Sequence, residues 1–246
     1  MKYWCNYMAT VSRGICFVFI LILFLEISIQ AQVLPPDVGL VTRLSGEVTY
    51  WNETYQKGSK KVEPLMKIRK GDHFKLSPGA TLQLIYFQNG RQEDWRGSVT
   101  FMVGMDQSQM KGNKQIQPEV SFLPPEAYQG IRRVPVVVRR ARLSRSGGMM
   151  IRGETETSPT PIVPTKEERE EIAMAKENYQ KMRKQAKAND ITPELNLLGL
   201  LADYEQFEEM EKVIKEALKI QPDHPILKEL ESWIKGQKAT TENKKE

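Results

Sequence analysis

The sequence predicts an α+β fold in two segregated parts, a small all-β part followed by an all-α helical part. Residues 39–103 consist of short runs of β-favouring residues separated by turns that contain glycine. After residue 165, apolar residues recur at spacings of three and four instead, which is typical of amphipathic helices. Between these regions, residues 154–165 are rich in proline and threonine, which indicates an extended linker.

The first 31 residues have the layout of a secretory signal peptide. Lys2 and Arg13 are the only charged residues before an apolar stretch at 15–25, and small or neutral residues follow up to Ala31. This layout predicts cleavage after Ala31. The apolar stretch is shorter than the roughly 20 residues that a spanning helix needs, and an uncleaved membrane anchor is the alternative.

Cysteine usage agrees with export. Cys5 and Cys16 both lie in the predicted leader, so the mature chain would contain no cysteine. We therefore expect a periplasmic or otherwise exported protein of a bacterial envelope that does not use disulfides.

The β part is defined by its turns. Ser77-Pro78-Gly79 has the residues of a tight turn, and Asn89-Gly90 between two β-rich runs is a strong hairpin signal. In the run 82–87 the residues at both alternating positions are largely apolar, so we expect this strand to be covered on more than one face. Residues 105–117 are polar and without periodicity, which predicts a loop.

The order of these motifs resembles the FecR domain, the periplasmic β-domain named after the ferric-citrate regulator. Ser77 stands where that family usually has threonine and Asn89 where it usually has aspartate, and both replacements keep the turn chemistry. The resemblance implies a FecR-like β domain over residues 32–123. The motifs that carry it are Gly39 to Val41, Gly46, Pro64-Leu65, Gly71-Asp72, Ser77 to Ala80, Asn89-Gly90 and Val99 to Val103.

Four helices are predicted between residues 166 and 236. Thr165 and Glu168 form a capping box at the start of the first. Thr192-Pro193 begins the second, the third carries an apolar face from Phe207 and stops before Pro222, and the fourth runs from Pro225 to Gly236. Residues 237–246 are predicted to be a charged, disordered tail.

The second and third of these helices resemble a tetratricopeptide repeat, a helix–turn–helix unit of about 34 residues. The helix before them resembles the second half of a preceding repeat, and the helix after them resembles a cap. The residues that match are Leu195, Leu198-Gly199, Ala202, Phe207, Met210, Ile214, Ala217 and Pro222.

Residues 124–153 are predicted to be an Arg-rich connector with irregular or edge-strand structure. The stretch from 130 to 152 contains seven arginines and no acidic residue, and guanidinium groups bind carboxylate or phosphate in a bidentate way. The candidate anion-binding or partner-binding residues are Arg132, Arg133, Arg139, Arg140, Arg142, Arg145 and Arg152.

Two interpretations of these arginines remain open. They could bind an envelope protein or an anionic cell-wall polymer. They could instead dock on the helical part, because residues 203–231 hold nine acidic residues against four lysines. Nucleic acid is the least expected partner, since an exported protein rarely meets it and no aromatic stacking pattern accompanies the arginines.

No pattern in the sequence indicates catalysis. His73 and His224 are the only histidines and fall in different predicted parts, so we expect them to have turn and capping roles. No Cys, His and carboxylate cluster has the spacing of a metal site, and no cofactor is expected.

We therefore expect an exported, non-catalytic envelope protein that acts as a binding or scaffolding module. A membrane-anchored signalling protein of the FecR type and a cell-wall-acting enzyme are the alternatives.

Overall fold

A computed structural model describes residues 34–110, 116–145 and 164–242, in which two β-sheets precede five helices. The predicted signal peptide, Arg152 and residues 154–163 of the predicted linker lie outside the described residues. The described residues from Pro35 onwards form one compact unit. The strands are β1 Asp37–Ser45, β2 Val48–Asn52, β3 Gln56–Lys61, β4 Lys67–Arg69, β5 His73–Leu76, β6 Thr81–Tyr86, β7 Arg91–Arg96, β8 Val99–Val103, β9 Ser108–Met110 and β10 Glu119–Phe122. The helices are α1 Pro125–Arg145, α2 Lys166–Gln185, α3 Thr192–Asp203, α4 Phe207–Ile220 and α5 Pro225–Glu242.

The all-β part that the sequence predicts is confirmed as two five-stranded sheets with antiparallel pairing throughout. Sheet 1 has the strand order β10-β7-β6-β1-β4, and sheet 2 has the order β3-β2-β5-β8-β9. Strand β9 lies within the segment 105–117, so the prediction of a loop there was wrong in part. Its three residues pair with β8, a tertiary partner that no local pattern reveals.

The two sheets pack face to face around an apolar core. Trp95 of sheet 1 stacks on Phe101 of sheet 2 with ring centroids 4.2 Å apart. Buried Glu93 accepts hydrogen bonds from Trp95 Nε1 at 3.1 Å and from the backbone N–H of Ser108 at 3.1 Å. Because Ser108 belongs to β9, this carboxylate joins the two sheets.

Strand β6 is covered on both faces, as the sequence predicts. Its Leu82, Leu84 and Tyr86 lie in the core between the sheets. Ile85 lies on the opposite face and belongs to a second core that also contains residues of the helices. The α+β division is therefore correct in chain order, but the two parts share an apolar core.

Residues 125–145 of the predicted Arg-rich connector form a helix, so the expectation of irregular or edge-strand structure was wrong for them. Helix α1 buries Ala127, Ile131, Val134, Val138 and Ala141, which recur at spacings of three and four. The contacts of these residues with the helical core outweigh two local features that disfavour a helix. These are the strand preference of the valines and the proline within the helix. Helix α1 is therefore a central element of the unit rather than a tether between its parts.

The predicted helix starts are confirmed. The capping box at Thr165 and Glu168 is present, and α3 starts at Thr192 with a proline in its first turn. Every residue of α3 from Thr192 to Ala202 is buried, as expected for the central helix of a bundle. No helix within the described ranges is long and apolar enough to cross a membrane.

The predicted helix end at Gly236 was wrong, because α5 continues to Glu242. Residues 237–242 therefore belong to a helix and not to a disordered tail. An ion pair between Lys238 and Glu211 of α4, at 2.6 Å, holds this last turn against its neighbour. The glycine costs only about 1 kcal/mol in a helix interior, too little to end a helix that packs on another.

Helices α1 and α3 cross at two glycines with their backbones in contact. A Cβ atom added at Gly199 would lie 1.9 Å from the carbonyl oxygen of Gly130. One added at Gly130 would lie 2.1 Å from the carbonyl oxygen of Asn196. The Asn196 side chain also accepts a hydrogen bond from the Gly130 N–H at 3.1 Å. No residue larger than glycine fits at this crossing without moving a helix.

A polar network joins sheet 1 to the turn between α2 and α3. Asp94 on β7 contacts Arg43 of β1 and accepts from Lys187 Nζ at 3.0 Å. Gln92 Nε2 donates to Asp190 at 3.2 Å. Because Asp94, Gln92 and Asp190 are all buried, these bonds fix the register between the sheet and the helices.

Gly199→Ala tests the helix crossing. We expect it to lower the free energy of unfolding by about 1–3 kcal/mol, because the added methyl group overlaps the Gly130 carbonyl. Urea titration followed by circular dichroism measures the change. The matched control is Gly236→Ala, where an added Cβ meets no atom within 4 Å, and we expect it to stabilise helix α5 by up to about 1 kcal/mol. Equal stability of both variants would contradict the crossing.

His224 predicts a pH dependence of stability. Its Nδ1 accepts the Leu227 N–H at 3.2 Å and so caps α5, as expected, while burial lowers its pKa from 6.5 to about 4. The unfolded chain therefore binds the proton first as pH falls. The contribution of neutral His224 to the free energy of unfolding is complete above pH 6.5. It is lost at up to about 1.4 kcal/mol per pH unit as the pH falls from 6.5 to 4.

His224→Asn is the variant that checks this dependence, because asparagine keeps the capping acceptor but does not titrate. Urea unfolding at several pH values should show a smaller loss of stability on acidification for the variant than for the natural chain. Parallel pH profiles would rule out the histidine as the cause.

Candidate functional site

The outward face of α1 combines basic and apolar side chains. Arg132, Val136, Arg139 and Leu143 follow one another at spacings of four, three and four, which places them on one side of the helix. Val136 is 48% exposed and Leu143 39% exposed, although the opposite side of the same helix is buried. Exposed apolar side chains beside arginines on one helical face make this face a candidate binding surface.

Two grooves flank this face. The first, of about 720 Å³, lies between α1 and the start of β1 and contains Arg132 and Arg133. The second, of about 620 Å³, lies between α1 and the segment that leads into β4, and we call it the α1–β4 groove. Both volumes fall within the range of about 300–1,000 Å³ that is typical of ligand pockets. Residues from both parts of the chain line the α1–β4 groove, among them Tyr50, Tyr55, Leu65, Met66, Val136 and Arg139.

Leu65 lines the α1–β4 groove and has a strained backbone conformation. Its φ is +57°, in the left-handed region that a leucine rarely adopts. Backbone hydrogen bonds hold it there: Leu65 N donates to Val41 O at 3.0 Å, and Val41 N donates to Met66 O at 2.9 Å. The Leu65 side chain is buried in the core that α1 shares. The strain is thus held by packing, as is common near binding sites.

Two tyrosines form the aromatic wall of this groove. Tyr50 stacks on Phe74 with ring centroids 6.1 Å apart. Tyr55 donates a hydrogen bond to Asp72 at 2.5 Å, and the guanidinium of Arg69 lies 4.9 Å from its ring centroid. Burial, together with nearby carboxylates, raises the pKa of both phenols above the ordinary value. They therefore remain neutral at physiological pH.

Most cations of the α1–β4 groove already contact an acid of this chain. Lys67 and Arg69 both pair with Asp37, at 2.6 and 2.9 Å. Arg142 lies 3.8 Å from Glu63 and 3.5 Å from Glu229. Arg139 is exposed, and no acidic partner for it occurs among the described residues.

The other candidate arginines also fall into two groups, those that contact an acidic residue and those that do not. Arg133 pairs with Asp203 at 3.0 Å, and Arg145 lies 3.6 Å from Glu229. The guanidinium of Arg132 lies 6.0 Å from the ring centroid of Phe87. Half-buried Arg140, like Arg132, has no acidic partner in the described part of the chain.

Three of these arginines support the interpretation that the basic segment docks on the helical part. Arg133, Arg142 and Arg145 contact Asp203 or Glu229, which belong to the acidic stretch named above. These pairs tie α1 to α3 and α5. The remaining arginines of the described helix make no such pair, and they are the ones available to a partner.

Sequence reasoning missed the groove itself. Tyr55, Met66 and Leu65 face α1 across a gap of about 70 residues in the chain, and no local motif indicates that they meet. His73 starts β5 instead of serving in a turn, and its ring stacks on Trp51 at 5.0 Å. Within the described ranges, no group of three His, Cys, Asp or Glu residues could hold a metal ion.

Comparison with family models and with curated proteins gives no relative from which a function could be transferred. No model of a protein family matches the sequence, and no curated protein matches it significantly.

Proposed function

We propose that this chain is an exported, non-catalytic binding or scaffolding protein of the bacterial envelope, and that the α1–β4 groove receives an anionic partner. The observation that carries the proposal is Arg139, a guanidinium with no acidic partner in the described residues, placed between exposed Val136 and Leu143. A guanidinium that is free of an internal acid can bind a carboxylate or phosphate without first breaking another contact.

The finer fold assignment belongs to the same proposal. We propose that the two packed sheets form a FecR-like domain and that α3 and α4 form a tetratricopeptide-like unit. Their tight connection through Glu205, whose φ is +50°, supports a helix–turn–helix unit with an irregular turn. A FecR-like domain and a tetratricopeptide-like unit in one exported chain favour an adaptor, a protein that joins other proteins. In this adaptor the helical part would support the groove.

The first test of the proposed function is charge reversal at two of the arginines that have no acidic partner within the described residues. The double variant Arg139→Glu, Arg140→Glu should retain at least about tenfold less cross-linked envelope material than the natural chain, because Arg139→Glu replaces attraction by repulsion at the groove and Arg140→Glu makes the same change at the next residue of α1. Quantitative pull-down with the purified exported chain measures the retained material.

The matched control is Arg169→Glu, Lys184→Glu on α2, which makes the same change in net charge on exposed residues away from the groove. It should retain the partner as the natural chain does. If both double variants lose the same material, only net charge matters. If neither loses any, the groove is not the binding site.

A second test concerns export. Expression of the full chain in a bacterial host should give a product that starts at Gln32, because cleavage is expected after Ala31. Intact-mass analysis of the envelope fraction measures the start. A product that keeps the leader would contradict the exported form and support the membrane-anchored alternative.

A further inference from the structure

We infer that the α1–β4 groove binds a segment of a partner protein in which acidic residues flank an apolar side chain, in preference to an anionic polymer. This inference rests on the proposed function and narrows it to one class of partner. It follows from the charge, the apolar contacts and the rigidity of the groove.

Charge sets the first requirement on the partner. Four cations line the groove, and three of them already contact an acid of this chain: Lys67 and Arg69 pair with Asp37, and Arg142 lies near Glu63 and Glu229. Glu63 is exposed, and its 3.8 Å contact with Arg142 lies at the outer limit of an ion pair, so a better-placed carboxylate could replace it. Arg139 has no acidic partner in the described residues, and it favours a ligand that brings a carboxylate to it.

The apolar side chains set the second requirement. Val136 and Leu143 lie on either side of Arg139 on one face of α1, and half-buried Met66 lies across the groove. A polymer that offers only negative charge would leave these side chains in water. A protein segment with an apolar residue between acids would cover them, and this burial is worth about 25 cal/mol per Å² of apolar surface.

The aromatic wall favours a protein partner as well. Tyrosine and arginine are enriched among the residues that dominate protein–protein binding. Tyr55 is held by its hydrogen bond to Asp72 and by Arg69 over its ring. Because the wall is already ordered, little side-chain entropy is lost when a segment binds.

Peptide selection tests the inference directly. Random peptides of about a dozen residues, displayed on phage, are selected on the full chain and counter-selected on Arg139→Glu. We expect an enriched set in which acidic residues flank an apolar one. Fluorescence anisotropy of one enriched peptide should show about tenfold weaker binding to Val136→Ser, Leu143→Ser. Met174→Ser is the control, because Met174 is 60% exposed on α2, away from the groove.

Polyglutamate serves as the charge-only probe. We expect polyglutamate to bind weakly, with the same affinity for the natural chain and for Val136→Ser, Leu143→Ser. Circular dichroism checks that this variant is folded. The inference is overturned if no peptide that depends on Arg139 is enriched, or if polyglutamate binds as tightly as the selected peptides. If envelope capture still depends on Arg139 and Arg140 in that case, the proposed function stands with an anionic polymer as partner. If capture does not depend on them, both proposals fail.

Discussion

The backbone contact between Gly130 and Gly199 is the constraint on which the arrangement of the helical part depends. Two helices can approach this closely only where neither carries a side chain, and both added Cβ atoms would lie within about 2 Å of a carbonyl oxygen. The crossing fixes α1 against the buried helix α3. It thereby determines which side of α1 is buried and which side, with Arg139, faces outward.

The apolar core that the helices share with the β part then places α1 beside the two sheets. Leu40, Ile85 and Phe87 of the β part and Leu65 before β4 pack with residues of the helices, while buried polar groups around Asp94 fix the register of sheet 1 against the turn before α3. Because both contacts must be satisfied together, α1 and the sheets are held in one arrangement, and the α1–β4 groove lies between them. A groove between packed elements is suited to recognition, since ordered side chains lose little entropy when a ligand binds.

Local signals were sufficient for much of the fold. The turns at Ser77 and Asn89, the capping box at Thr165 and the proline-led starts of α3 and α5 depend on side-chain chemistry within a few residues, and each was predicted. Helix α1 was missed because its valines and Pro135 favour other structures locally, although apolar spacing from Ala127 to Ala141 is helical. The seven arginines were recognised as candidates, but their division into paired and unpaired residues depends on distant acids.

By itself, the sequence determined the order of a β part and a helical part, the turns, the helix starts and the basic character of residues 130–152. These properties arise from neighbours in the chain, whose contacts are the same in any compact arrangement. Only the tertiary structure decided that residues 125–145 of the predicted connector form a central helix, that Leu65 and two tyrosines face it, and that Arg139 has no acidic partner among the described residues. Those outcomes depend on contacts between residues far apart in the chain, which only packing of the whole unit brings together.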